Sequence, residues 1–303
     1  MPIYRNYKLA DGSNNAALGW EDPRLCRIWL RNRLPPDVHA WLSPMSSRSL
    51  CDRPYLSPTQ NSCGCPERPG FGLSTVQPNR RIMDWPADVQ ELAHHLSLSR
   101  FAIMGGSGGG PYALACAQML PQDMMSAVGI LAGAGDWRAG AHHMPWIYRA
   151  SMLAADHWPA GLRGLLTFAV WMFRNVLNTQ MATRRLNEYL LKDQDQHADS
   201  VEERRAQLLR MLFEPFTQGA GPAAYEAKLL SQEWGIEFGD ISYNNLHIWH
   251  AGKDWNSPLP MTEYYVKLLS NSPSFKVFEG DTHFTIHRHL DEILSELIPE
   301  IVA

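Results

Sequence analysis

Residues 101–117 read FAIMGGSGGGPYALACA. Phe101-Ala102-Ile103-Met104 is a short apolar run of strand length, Gly105 to Gly110 punctuates it, and Pro111 to Leu120 is rich in helix formers. A strand, a tight turn and a helix are the predicted elements. Within the turn, Gly105-Gly106-Ser107-Gly108-Gly109 matches G-x-S-x-G. Directly after a strand and before a helix, that pattern has a mechanical meaning: the glycines permit a strained turn that lifts a serine hydroxyl to the carboxyl edge of a sheet.

The same grammar recurs further along. Ala127 to Ala132 is an apolar run closed by Gly133-Ala134-Gly135, Leu246 to His250 is closed by Ala251-Gly252-Lys253-Asp254, and Phe275 to Phe278 is closed by Glu279-Gly280-Asp281. Short strands, each followed by a glycine turn and a helical stretch, predict an α/β chain with a mostly parallel sheet covered by helices. Asp136 to Asn245 interrupts the alternation with about 110 residues of helical spacing, far beyond the dozen or so a crossover requires. It reads as a helical insertion over the site. Its Met144, Trp146, Tyr148, Met152, Trp158, Phe168, Trp171, Met172 and Phe173 are expected mainly to pack the insertion onto the core, with some lining an apolar pocket.

A serine hydroxyl needs a base within hydrogen-bond reach and a third group to orient that base. His283, in Gly280-Asp281-Thr282-His283, follows the last strand at the same sheet edge as Ser107, which separates it from His94, His95, His142, His143 and His197. His287 and His289 are its nearest competitors. Asp254 lies just after the strand Leu246 to His250, and the order Ser107, Asp254, His283 is the one this kind of turn uses. Asp136 is the strongest rival for the acid, with Asp240 and Asp281 behind it.

Composition narrows the partners. The chain has 303 residues, 45% of them apolar and 19% charged, with a net charge of −4, so it can bury a large core and offers no block of charge for phosphate neutralisation. Nucleic-acid binding is not expected. Met1 to Gly12 carries Arg5, Lys8 and Asp11 with no apolar core of a secretory signal, and a cytoplasmic protein is the expectation. Leu162 to Leu177, the longest apolar stretch, is broken by Arg163, Gly164 and Arg174. A buried helix rather than a membrane span is expected there.

Arg24 to Pro66 departs from the rest, with six Pro, six Ser, six Arg and four of the five Cys in 43 residues. Cys63-Gly64-Cys65 is too closely spaced for a zinc pair, and no partner pair follows. No metal or organic cofactor is expected, and Gly105 to Gly110 lacks the lysine of a phosphate-binding loop. The stretch has no run of four apolar residues, and its prolines would each delete a ladder donor, so no central strand is expected in it.

Gly105 to Ala117, with Arg68-Pro69-Gly70-Phe71-Gly72-Leu73-Ser74-Thr75 and the helix opening Asp84-Trp85-x-x-Asp88, resembles the α/β-hydrolase superfamily, specifically its serine hydrolases with a helical cap, from about residue 66 to the C-terminus. The resemblance implies an eight-stranded, mostly parallel sheet, with residues 1–135 and 246–303 as core, 136–245 as cap, and 24–66 an atypical stretch where the N-terminal strands are disrupted. By resemblance Ser107 is the nucleophile, Asp254 the acid and His283 the base; a serine at this turn argues against the aspartate chemistry of the dehalogenases and epoxide hydrolases. The Gly108 N–H is one oxyanion donor. By resemblance the second donor lies in a His-Gly loop after an early apolar strand, for which Val38-His39-Ala40-Trp41, with His but no Gly, is the nearest match and the Trp41 N–H the candidate.

Residues 9–20, LADGSNNAALGW, also resemble the family's opening. The foreign stretch between therefore fits a shifted reading frame or splice junction, or else a divergent loop; an uninterrupted transcript encoding these residues would exclude the first. The implied activity is hydrolysis of a carboxylic ester, thioester or lactone, with a small apolar acyl compound as substrate. The same triad would also serve C–C bond hydrolysis or acyl transfer, and the altered oxyanion region leaves a non-catalytic binding protein as a third reading.

Overall fold

A computed structural model describes residues 39–43, 63–64, 66–72, 74–95, 98–192 and 200–298. Among them are six strands: β1 (His39–Ser43), β2 (Cys63–Gly64), β3 (Phe101–Gly106), β4 (Met125–Leu131), β5 (Leu246–Ala251) and β6 (Ser274–Phe278). They form one sheet in the order β2-β1-β3-β4-β5-β6, with every neighbouring pair parallel. The four strands expected between Phe101 and Phe278 are all present, each within two residues of its predicted ends.

Alternation along the strands explains why both faces are covered. Phe101, Ile103, Val128, Ile130, Leu246 and Ile248 point to one side. There they meet helices α1 (Trp85–His95) and α2 (Gly110–Met119), together with Trp234, Ile236, Phe238, Ile241 and Tyr243 from the end of the predicted insertion. Ala102, Met104, Ala127, Leu131, Trp249 and Ala251 point to the other side and meet Leu290, Ile293, Leu294 and Leu297. The first two of those partners are a heptad-like i, i+3 pair, and all four lie on the C-terminal helix, which begins at Leu290.

Between β4 and β5 the described residues form five α-helices: α3 (Trp146–His157), α4 (Pro159–Leu177), α5 (Gln180–Lys192), α6 (Val201–Phe213) and α7 (Gly221–Ser231). After β5 come α8 (Leu259–Leu268) and, after β6, α9 (Leu290–Leu297).

Two expectations are corrected. Arg24 to Pro66 does contribute to the interior of the sheet: β1 lies between β2 and β3, with Trp41 level with Ile103 and Ser43 level with Gly105. A parallel ladder is made by backbone N–H and C=O groups, so His39–Ser43 joins it without an apolar run, and its one flanking proline, Pro44, falls just past the strand. The second correction is α4. It spans the stretch expected to be a buried helix, yet of its residues only Leu162 is buried, because α4 packs through its first turns, where Leu162 and Leu166 meet Ala155 of α3 and Ala224 of α7. Trp146, Tyr148, Trp158, Phe168, Trp171, Met172 and Phe173, expected mainly in the core, are exposed.

Candidate active site

The turn after β3 is set by what cannot fit there. A Cβ on Gly105 would lie 2.3 Å from the Gly109 carbonyl oxygen, and one on Gly110 would lie 2.9 Å from Gly133 Cα. Ser107 takes φ +48°, in the left-handed region that L-residues avoid at a cost of about 1–2 kcal/mol. A single 3₁₀ turn, Ser107–Gly109, then runs straight into α2. Gly105→Ala is expected to lose about 2 kcal/mol or more of stability, because the clashing atoms are backbone and cannot turn away; urea unfolding measures it.

The strand ends bring three of the predicted residues together. Ser107 Oγ lies 2.9 Å from His283 Nε2, and His283 Nδ1 lies 2.6 Å from Asp254 Oδ2. A carboxylate only accepts, so Nδ1 carries the imidazole proton and Nε2 turns its lone pair to the serine hydroxyl. Asp254 is buried. Its other oxygen accepts the backbone N–H groups of Asn256 at 2.9 Å and Ser257 at 2.8 Å, which fixes the carboxylate plane. The Ser257 hydroxyl in turn donates to the Gly133 carbonyl beyond β4, tying the acid's loop to the neighbouring strand end.

The rival residues are engaged elsewhere. Asp136 accepts from the Arg138 backbone and side chain at 2.8 Å each. Asp240 is exposed on a 3₁₀ turn. Asp281 pairs with His289 at 2.9 Å, with Arg288 at 2.7 Å and with the Thr285 hydroxyl, which accounts for His289 as well and holds the Asp281 carboxyl below its usual range despite burial that works the other way.

The Gly108 N–H belongs to the peptide that joins it to Ser107. That peptide is immobilised, since the Ser107 carbonyl accepts from Ala134 N–H at 2.8 Å and from Gly110 N–H. Trp41 is not brought to the site in the same way. It lies inside β1, two residues before Ser43, the residue level with Gly105. The strand begins where a loop was expected, which carries Trp41 back along the sheet. Pro44, next in sequence, has no N–H to offer, and the residues after Ser43 lie outside the described residues.

Two further sets of residues surround the triad. His250, fully buried at the end of β5, sits with Nε2 2.8 Å from the Ser257 carbonyl, 3.9 Å from Asp254 Oδ2, and with Nδ1 3.5 Å from the Thr262 hydroxyl. The carbonyl acceptor assigns the proton to Nε2. Burial lowers the His250 pKa below its ordinary value, overriding the Ser257 carbonyl and the charges of Asp254 and Glu263, while His283 adds to the lowering. An unfolded histidine takes its proton near 6.5, whereas the folded one waits for lower pH. This contribution to stability is therefore complete above about pH 6.5 and falls as the pH drops toward the folded value, with a slope of at most about 1.4 kcal/mol per pH unit for one proton. Urea unfolding at a series of pH values is expected to show a shallower acid slope in His250→Gln than in the parent chain.

The second set lies against the turn that carries Ser107. Arg68 Nη1 donates to the Gly108 carbonyl at 2.9 Å and to Glu226 Oε1 at 2.6 Å. Arg80 reaches the other Glu226 oxygen and the Tyr112 hydroxyl, and that hydroxyl donates to Glu226 Oε2 at 3.1 Å. Arg68, Arg80 and Glu226 are all buried. Glu226 belongs to α7, so one carboxylate clamps two guanidinium groups and links the helical insertion to the turn that carries Ser107. Burial pushes the Tyr112 hydroxyl pKa upward, so it stays a neutral donor.

Trp255 follows Asp254 and Phe284 follows His283 in the chain, and both are exposed. Tyr148 of α3 donates to Asn256 Oδ1 at 2.8 Å, so the insertion touches the loop that carries Asp254. Among the described residues no three His, Cys, Asp or Glu side chains are grouped as a metal site, and no helix is long and apolar enough to cross a membrane.

This chain has the α/β-hydrolase fold. Among solved structures it is similar to MGS-M2, an α/β hydrolase from a Medee basin deep-sea metagenome, with 14% identity, 90% of each chain covered and a TM-score of 0.59. A hydrolase from Oleispira antarctica matches at 13% identity over 89% of this chain and 93% of that one, with a TM-score of 0.57. The enol-lactonase of Burkholderia xenovorans matches at 12% identity over 91% and 95%, with a TM-score of 0.54. No protein-family model matches the chain, and no curated protein does.

Proposed function

We propose that this chain is a serine hydrolase that cleaves a carboxylic ester, thioester or lactone through an acyl-serine intermediate. The observation that carries the reading is the unbroken chain of contacts from Ser107 Oγ through His283 to Asp254, at 2.9 Å and 2.6 Å. As Ser107 attacks the substrate carbonyl, His283 Nε2 takes the hydroxyl proton, and Asp254 stabilises the imidazolium while holding its orientation. The developing oxyanion is placed against the Gly108 N–H. Collapse of the intermediate expels the alkoxide or thiolate, which receives the proton from His283. Water, deprotonated by the same imidazole, then attacks the acyl-serine and releases the acid.

Trp255 and Phe284, exposed beside the acid and base, favour an apolar acyl group. The enol-lactonase among the structural neighbours acts within the same bond class. A second reading, a non-catalytic binding protein, draws on the place of Trp41 inside β1, away from the nucleophile. Incubation with a panel of acyl esters, thioesters and lactones separates the two, with the hydrolysis products followed by mass spectrometry. Release of acid with one equivalent of alcohol from esters or thiol from thioesters, and of a single hydroxy acid from lactones, is expected. Saturable binding of the same compounds with no product would establish the second reading, and transfer of the acyl group to an added amine in place of water would redefine the first.

A further inference from the structure

The loops that carry the acid and the base meet at one residue. Asp281 stands two places before His283, and its backbone carbonyl accepts the Lys253 N–H at 2.8 Å, one place before Asp254. This bond lies just beyond the contact that joins the ends of β5 and β6, the Gly252 N–H to the Phe278 carbonyl at 2.9 Å. Through its main chain, Asp281 therefore fastens the base's loop to the acid's loop.

The Asp281 side chain gathers donors from beyond the base. Oδ1 accepts from the Thr285 hydroxyl and the Arg288 guanidinium, each at 2.7 Å, and Oδ2 faces His289 Nε2 at 2.9 Å. The His289 ring stacks on Phe278, the last residue of β6, at 4.0 Å. Residues on both sides of His283 are thus drawn together and tied to the strand end. The Thr285 hydroxyl passes the restraint on, because its oxygen also accepts the Thr282 N–H at 2.9 Å, one residue before the base. Asp281 is buried, and a carboxylate is kept out of water only where donors offset its desolvation. Those donors are side chains from 285, 288 and 289, so the charge is committed to closing this loop.

We infer that Asp281 and Thr285 are positioning residues that hold the loop of His283 against the loop of Asp254 and so set the 2.6 Å separation of base and acid. They act through the backbone around Thr282. A displacement of about 1 Å at a reacting group costs on the order of 10²-fold in rate, which makes such a restraint matter to turnover. The effect on turnover rests on the hydrolase reading, whereas the effect on the His283–Asp254 hydrogen bond does not.

The test is ester kinetics and proton NMR on the full chain carrying Asp281→Ala, Thr285→Val or Thr285→Ser. Asp281→Ala is expected to lower kcat by about 10²-fold with KM held within about twofold, and Thr285→Val to lower kcat by about tenfold. Thr285→Ser keeps the hydroxyl and is expected to restore the rate. In the parent, the His283 Nδ1 proton is expected as a far-downfield resonance, assigned by its loss in His283→Gln, that broadens into solvent exchange in Asp281→Ala and Thr285→Val. A raised KM at unchanged kcat, a Ser variant as slow as the Val variant, a parent lacking the resonance, or a resonance and kcat that neither variant alters would overturn the inference. Thr285 is exposed, so Thr285→Val decides the matter if Asp281→Ala does not fold. If the parent turns over no ester, the hydrolase reading falls and the resonance alone decides this one.

Discussion

Ser107→Ala is expected to lower kcat for an ester substrate by about 10⁵- to 10⁶-fold while leaving the unfolding midpoint nearly unchanged. On the proposed mechanism the loss is large because the serine oxygen forms the bond that divides hydrolysis into two easier steps, and it is the hydroxyl 2.9 Å from His283 Nε2. Stability is spared because alanine has the same backbone preferences as serine at φ +48°, so the strain of the turn is carried over unrelieved. Steady-state ester hydrolysis and a urea titration on the same preparation check both halves. Activity within about tenfold of the parent would remove Ser107 from the chemistry, and a collapsed fold would show the hydroxyl to be structural.

Glu226→Ala is expected to destabilise the chain by about 3–5 kcal/mol. The carboxylate is the shared partner of Arg68 and Arg80, and all three are buried. Its removal leaves two guanidinium groups without a counter-charge in a low-dielectric site, a penalty that takes a large fraction of a typical stability of about 5–15 kcal/mol. Glu226→Gln keeps the shape and one acceptor, so a smaller loss is expected. Because Arg68 also holds the Gly108 carbonyl at 2.9 Å, the folded Gln variant should hydrolyse esters more slowly as the turn loosens. Urea unfolding decides the first point, and a loss below about 1 kcal/mol for the alanine variant would mean that the cluster is solvated and not a buried clamp.

The parts of this molecule that were legible in the sequence are those governed by local rules. Phe101–Met104 followed by glycines and helix formers announces a strand, turn and helix because strand propensity, left-handed backbone and helix propensity are all short-range properties. Asp254 and His283 could be chosen because each follows an apolar run at a strand's carboxyl end. The remainder depended on long-range or purely backbone contacts. Glu226 reads as one more solvated acid on a helix, and only its approach to Arg68, 158 residues away in the chain, reveals it as a buried clamp.

His39–Ser43 enters the sheet through main-chain bonds to which side-chain hydrophobicity is blind, and this in turn moved Trp41 away from the place where it was sought. Leu162–Leu177 has the composition of a core helix, and composition does not distinguish a helix covered by protein from one that presents its apolar side outward. His250 looked like any strand-terminal histidine. Its importance comes from Ser257 and Thr262 closing around it after the chain turns back.

The central claim is that Ser107, His283 and Asp254 form a working nucleophile, and a fluorophosphonate probe with mass-spectrometric mapping of the adduct tests it most directly. The probe reports activated serine hydroxyls without requiring the natural substrate. Covalent labelling at Ser107, abolished in Ser107→Ala and in His283→Ala, is the result this account predicts. Folded chain that stays unlabelled, or labelling at Ser107 that persists without His283, would contradict it.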